Sequence, residues 1–121
     1  MGRTIMIVDD SPSIRQVVKM NLVNAGHQVV EGVDGADALQ KLKTQKVDLI
    51  ISDVNMPNMD GLTFARKVKE MSETRFIPII MLTTESQEDK KMEGMSLGVK
   101  AWLVKPFKPE QLVSAVSKLL I

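Results

Sequence analysis

A short apolar run followed by a segment of helical spacing recurs along almost the whole chain, and this alternation constrains the fold more than any other feature. The apolar runs are Thr4 to Val8, Gln28 to Glu31, Val47 to Ser52, Ile77 to Leu82 and Lys100 to Val104. Each has the length and the branched-residue content of a strand. Between the runs, apolar residues return at helical intervals: Ile14, Val17, Val18, Leu22 and Ala25, then Ala38, Leu39 and Leu42, then Leu62, Ala65, Val68 and Met71, and finally Leu112, Val116, Leu119 and Leu120. Ser11 is suited to cap the first helix with Pro12 at its first position, and Gly26 to stop it. The second and third helices start behind Asp34 and Asp60, and Pro109 opens the last. The segment from Ser86 to Ser96 has the weakest helical pattern, because it is rich in charge and contains Gly94.

Successive βα units imply a parallel sheet with helices on both faces. Runs one, three and four are nearly all apolar, as strands buried on both faces must be. Runs two and five carry Gln28, Glu31, Lys100 and Trp102, which suits sheet edges. Right-handed crossovers between those edges predict a doubly wound (βα)5 sheet of strand order 2-1-3-4-5. In that order the chain reverses direction between strands one and three, and ligands of such folds bind in the crevice at the carboxyl ends of those strands.

The residues at those ends carry chemistry. Strand one runs into Asp9 and Asp10, strand three into Asp53, strand four into Thr83 and strand five into Lys105. Three converging carboxylates repel one another, so they raise their proton affinities or recruit a cation. A few carboxylates, a backbone carbonyl and water suit Mg²⁺ better than the larger oxygen cage of Ca²⁺. Lys105 adds a point charge and Thr83 a hydroxyl, both able to hold phosphoryl oxygens. An aspartate so surrounded is a competent phosphoryl acceptor, since that chemistry needs mainly positioning and charge neutralisation.

Composition removes other classes. The 121 residues predict one domain spanning 1–121, with no output domain. A net charge of +1 gives no bulk case for nucleic acid or an anionic membrane as partner. Cysteine is absent, which excludes disulfide and thiolate chemistry. No segment is long and apolar enough to span a bilayer, and the expected location is the cytoplasm. No Gly-rich loop follows the first strand, which argues against a nucleotide-binding module.

Asp9-Asp10 after Ile-Val, Asp53 followed by Val-Asn-Met-Pro-Asn-Met-Asp-Gly, Thr83, and Lys105-Pro106-Phe107 together resemble the receiver domain of bacterial response regulators, of flavodoxin-like fold. The resemblance covers the whole chain and is nearest to the free-standing chemotaxis members of that family. It implies that Asp53 accepts a phosphoryl group from the phosphohistidine of a sensor histidine kinase. It further implies that Asp10 binds Mg²⁺ directly, Asp9 largely through water, and that Asp53 and the backbone carbonyl of Asn55 complete the metal site. Thr83 and Lys105 would hold the phosphoryl group, the peptide before Pro106 would be cis, and Asn55 and Glu85 would tune the removal of phosphate by water. The output would be binding of a downstream protein by a monomer, for example the flagellar motor switch, with a phosphorelay intermediate or phosphate sink as the alternative. A true aspartyl-phosphate phosphohydrolase is disfavoured, because Asn55 stands where such enzymes place an acid/base aspartate and an amide cannot do that work.

Trp102 departs from the family pattern, which places Tyr or Phe three residues before the lysine as a ring that swings between outward and buried positions. Indole is bulkier and its N–H needs a partner when buried. Partial rotation or constitutive outward exposure is therefore expected in place of a full swing. The run Glu88-Asp89-Lys90-Lys91 reads as a solvated helix face, with Lys90, Lys91 and Lys118 as candidate partner contacts. Most of Met20, Met56, Met59, Met71, Met81, Met92 and Met95 are expected to fill gaps in the core.

Overall fold

The computed structural model describes residues 2–83 and 88–120. Strands and helices alternate as β1 (Thr4–Val8), α1 (Pro12–Asn24), β2 (Gln28–Gly32), α2 (Gly35–Leu42), β3 (Leu49–Asp53), α3 (Gly61–Glu70), β4 (Ile79–Thr83), α4 (Glu88–Ser96), β5 (Ala101–Val104) and α5 (Pro109–Leu119). All strand pairs are parallel and the order is β2-β1-β3-β4-β5. This is the flavodoxin-like (βα)5 architecture expected from the sequence.

Two strand starts move by two residues, each for a local reason. β4 begins at Ile79 rather than Ile77, because Pro78 has no N–H for the ladder, although its carbonyl still accepts from Ile50 N–H at 3.0 Å. β3 begins at Leu49 rather than Val47. Before it, Asp48 pairs with Thr4 through both its backbone N–H (2.7 Å) and its carboxylate (2.8 Å). At its far end β3 reaches Asp53, which is held in register with Leu82 of β4.

Strand alternation divides the core into two layers. Ile5, Ile7, Leu49, Ile51, Ile80 and Leu82 face α1 and α5, against Val18, Leu22, Leu112 and Val116. Met6, Val8, Ile50, Ile79 and Met81 face α2 and α3, against Ala38, Leu42, Phe64, Ala65 and Val68. Burying each large aliphatic side chain contributes about 1.5–3 kcal/mol, so both layers are needed to hold the sheet. Phe64, fully buried, belongs to the inner stripe of α3, which the sequence reading drew through Leu62, Ala65, Val68 and Met71. The methionine expectation fails for Met20, Met92 and Met95, which are exposed; Met81 is in the core.

Helix starts follow the capping chemistry. Ser11, Asp34 and Asp60 accept the N–H groups of Ile14, Asp37 and Thr63, each contact worth about 1 kcal/mol to its helix. At the other end of α1, Gly26 takes φ 96°, a left-handed conformation that costs glycine nothing.

Candidate functional site

The end of β1 lies beside the end of β3 (Val8 pairs with Ser52), so Asp9 and Asp53 emerge side by side. Both are buried, whereas Asp10 is exposed. One carboxylate oxygen from each of Asp9, Asp10 and Asp53 lies within 4.8 Å of the others. The donor set is all oxygen, anionic and hard, and it fits a small divalent cation such as Mg²⁺.

Lys105 reaches this cluster from β5. Its backbone N–H donates to the carbonyl of Thr83 at 2.6 Å, which continues the β4–β5 ladder past Val104. Its Nζ lies 3.0 Å from Asp9 Oδ2 and 3.6 Å from Asp53 Oδ2. The Lys105–Pro106 peptide is cis. Thr83, fully buried, ends β4 next to the strand that carries Asp53.

Burial pushes the proton affinity of Asp53 up, the neighbouring Asp9 pushes it further, and the ammonium of Lys105 offsets only part of this. The carboxylate in the crevice is thus short of positive charge. Asp9 is better provided: Oδ1 accepts from Ser11 N–H at 2.9 Å and Oδ2 from Lys105. The carboxylate of Asp10 has no hydrogen bond among the described residues.

The surrounding loops are fastened by contacts that the sequence reading missed. Arg15 donates from its Nη1 to the carbonyl of Asp9 at 2.6 Å and from its Nε to Glu31 at 3.1 Å, which ties the β1–α1 turn to β2. Asn58, at φ 68°, donates to Asp34 Oδ2 at 2.9 Å and joins the β3–α3 loop to the start of α2. Asn55 N–H approaches Asp53 Oδ1 at 3.4 Å, and the Asn55 side-chain oxygen accepts from Lys90 Nζ at 3.2 Å. Arg15 and Lys90 share a legible signal. Both are cations near the start of a helix, where the macrodipole disfavours positive charge, so each needs a partner elsewhere. Glu85 lies outside the described residues.

Trp102 is half-buried and packs on the α2–α3 side of the sheet, so constitutive outward exposure is not its resting state. Its Nε1–H is buried with no hydrogen-bond partner among the described residues, the cost that the indole was expected to meet. Gly94 makes room for the ring: a Cβ there would sit 2.9 Å from Trp102 Cζ3 and 3.4 Å from Leu62 Cδ2. The glycine that weakens α4 in the sequence is thus the one that lets the helix pass over the indole. Gly94→Ala should push the ring toward solvent and shift its emission to longer wavelength by several nanometres, with little loss of stability, because only side-chain atoms must yield. Unchanged emission would place the ring elsewhere.

Comparison with known proteins agrees with this arrangement. Residues 5–117 match the model of the response regulator receiver domain. The chemotaxis protein CheY4 of Vibrio cholerae is 46% identical, and the superposition covers 99% of this chain and 100% of that one at a TM-score of 0.93. The alkaline phosphatase synthesis transcriptional regulatory protein PhoP of Bacillus subtilis is 35% identical over 99% of this chain, which spans only 49% of that protein's length. The receiver domain of the sensor histidine kinase PA1611 of Pseudomonas aeruginosa, described with a magnesium ion in its active site cleft, is 28% identical at a TM-score of 0.90, covering 99% and 98% of the two chains. The acidic crevice, the strand order that creates it and the family match converge: this chain belongs to the response regulator receiver domain family, the phospho-acceptor switches of two-component systems.

Proposed function

We propose that Asp53 is the phospho-acceptor, that Asp10, Asp53 and the carbonyl of Asn55 hold Mg²⁺ directly with Asp9 acting through water, and that the phosphorylated chain signals by binding a partner protein. The observation that carries this reading is the setting of Asp53: a buried carboxylate of raised proton affinity, flanked by Asp9, with Lys105 Nζ at 3.6 Å. A carboxylate oxygen of Asp53 attacks the phosphorus of the donor phosphohistidine. A P–O bond forms as the P–N bond breaks, and the imidazole of the kinase leaves with the bonding electron pair. Bound Mg²⁺ supplies charge neutralisation on the phosphoryl oxygens.

The residues of the chain do the rest. Lys105 Nζ, held between Asp9 and Asp53, is within a small displacement of the new phosphoryl oxygens, and the hydroxyl of Thr83 donates to them from the end of β4. In this sense the chain catalyses its own phosphorylation. Subsequent hydrolysis is slow, because Asn55 provides no general base. The setting we favour is chemotaxis, with the flagellar motor switch as partner and the cytoplasm as location. The end-to-end likeness to a chemotaxis protein supports this. So do the exposed apolar residues Met92 and Met95 of α4 and Val104 of β5, the elements toward which the switch would propagate.

Trp102 fluorescence tests the switch. Mg²⁺ alone should leave the emission nearly unchanged, and beryllofluoride with Mg²⁺ should shift it as Thr83 moves toward Asp53 and the indole follows. Asp10→Ala should weaken Mg²⁺ binding by at least about tenfold and abolish the beryllofluoride response. If Asp10→Ala kept the Mg²⁺ affinity and instead destabilised the apo protein, the acidic cluster would be structural.

A further inference from the structure

Lys90, the third residue of α4, is half-buried, and its Nζ donates to the side-chain amide oxygen of Asn55 at 3.2 Å. Within the charge run Asp89 is exposed, as on a solvated face, whereas Lys90 makes this directed contact. A lysine so early in a helix works against the macrodipole, so helix stability does not account for its placement. Its partner stands two residues after Asp53, with the Asn55 N–H itself approaching Asp53 Oδ1 at 3.4 Å. This hydrogen bond therefore joins α4 to the loop that follows Asp53. No other side-chain hydrogen bond between α4 and that loop is present among the described residues.

We propose that Lys90 is a positioning residue that straps the Asn55 side chain across the mouth of the acceptor site, and that this strap sets how long the phosphoryl group survives. Water that hydrolyses an aspartyl phosphate must approach the phosphorus in line with the breaking bond, from the open side of the crevice. An Asn55 side chain fixed at that opening, held by an ammonium rather than by water, excludes the approach. Without the ammonium, the amide swings freely and water enters. The inference rests on the reading of Asp53 as acceptor and adds a residue that this reading does not use.

The experiment compares wild type, Lys90→Ala, Lys90→Arg, Asn55→Ala and the double variant Lys90→Ala/Asn55→Ala, each phosphorylated with acetyl phosphate and then followed for loss of phosphate. Lys90→Ala should shorten the phosphoryl half-life by at least about threefold, in proportion to the loss of one charge-assisted hydrogen bond. Mg²⁺ affinity and melting temperature should stay near wild type, since neither metal ligands nor core are touched. Lys90→Arg should restore most of the lifetime. In an Asn55→Ala background the Lys90→Ala change should have no further effect, because Lys90 acts through Asn55. In the unphosphorylated protein, the side-chain amide resonances of Asn55 should move in Lys90→Ala and stay near their wild-type positions in Lys90→Arg. A wild-type lifetime in Lys90→Ala overturns the proposal, whether or not the amide resonances move. Additive losses in the double variant also overturn it, by showing that Lys90 does not act through Asn55. If wild type takes no phosphoryl group, the reading of Asp53 and this inference fall together; labelled protein of unaltered lifetime sinks this inference alone.

Discussion

Asp53→Asn is expected to abolish phosphoryl incorporation and, in metal-free buffer at neutral pH, to raise the melting temperature by about 3 °C or more. The two effects share one cause. Burial beside Asp9 gives Asp53 a higher proton affinity in the folded chain than in the unfolded one. Below the ordinary aspartate range both states are protonated and the group contributes nothing. As pH rises through that range and then through the folded value, the unfolded state ionises more readily and folding loses stability. At pH 7 the whole penalty is present, and the amide removes it. The gain should therefore shrink as pH falls through the raised folded value and vanish below the ordinary aspartate value of about 4. Lys105 keeps its 3.0 Å contact with Asp9 in the variant, so the lysine is not stranded. Mg²⁺ should stabilise wild type more than Asp53→Asn, by preferential binding to the folded state. Thermal scans across pH, with and without Mg²⁺, check each part. A variant that melts lower than wild type at pH 7 would mean that the Lys105 contact outweighs burial.

The second large effect concerns a residue with no side chain. A Cβ on Gly61 would lie 2.1 Å from the carbonyl oxygen of Asp53, 2.9 Å from Val54 Cα and 3.0 Å from Asp53 C. All three are backbone atoms, so no rotamer change relieves the overlap. Either α3 backs away from the sheet or the end of β3 is displaced. Either shift breaks the 2.7 Å bond from Gly61 N–H to the carbonyl of Val54. Gly61→Ala should cost about 3 kcal/mol or more, roughly 10–15 °C in melting temperature, and should slow phosphorylation by moving the acceptor. Gly94→Ala is the control, since its clash is with side chains. Melting of Gly61→Ala within about 2 °C of wild type would contradict the close approach.

These residues show what could and could not be read from the sequence. The alternation of apolar runs and helical segments carried the fold, because period and burial are local properties of a strand or helix, and the strand order then followed from handedness and edge composition. The cluster of Asp9, Asp10, Asp53, Thr83 and Lys105 was legible because all of them stand at strand ends, and the topology brings strand ends together. The partners in the loop contacts were not legible, even where a cation near a helix start signalled that one was needed. Lys90 meets Asn55, Arg15 meets the carbonyl of Asp9, and Asn58 meets Asp34 only after the helices have docked. Gly61 stands in the sequence only as the residue behind the Asp60 cap; that it touches the backbone of Asp53 emerges only in three dimensions. Phe64 was overlooked because the stripe was drawn through its neighbour Ala65, one position away on the helix.

Phosphorylation of the buried aspartate at the end of β3 is the event on which the proposed switch turns. Its most direct test is to treat the chain with acetyl phosphate and Mg²⁺, trap the acyl phosphate by borohydride reduction, and map the reduced residue by mass spectrometry. One modified position per chain is expected, at Asp53, dependent on Mg²⁺. Modification at Asp9, Asp10 or any other residue, with Asp53 untouched, would contradict it.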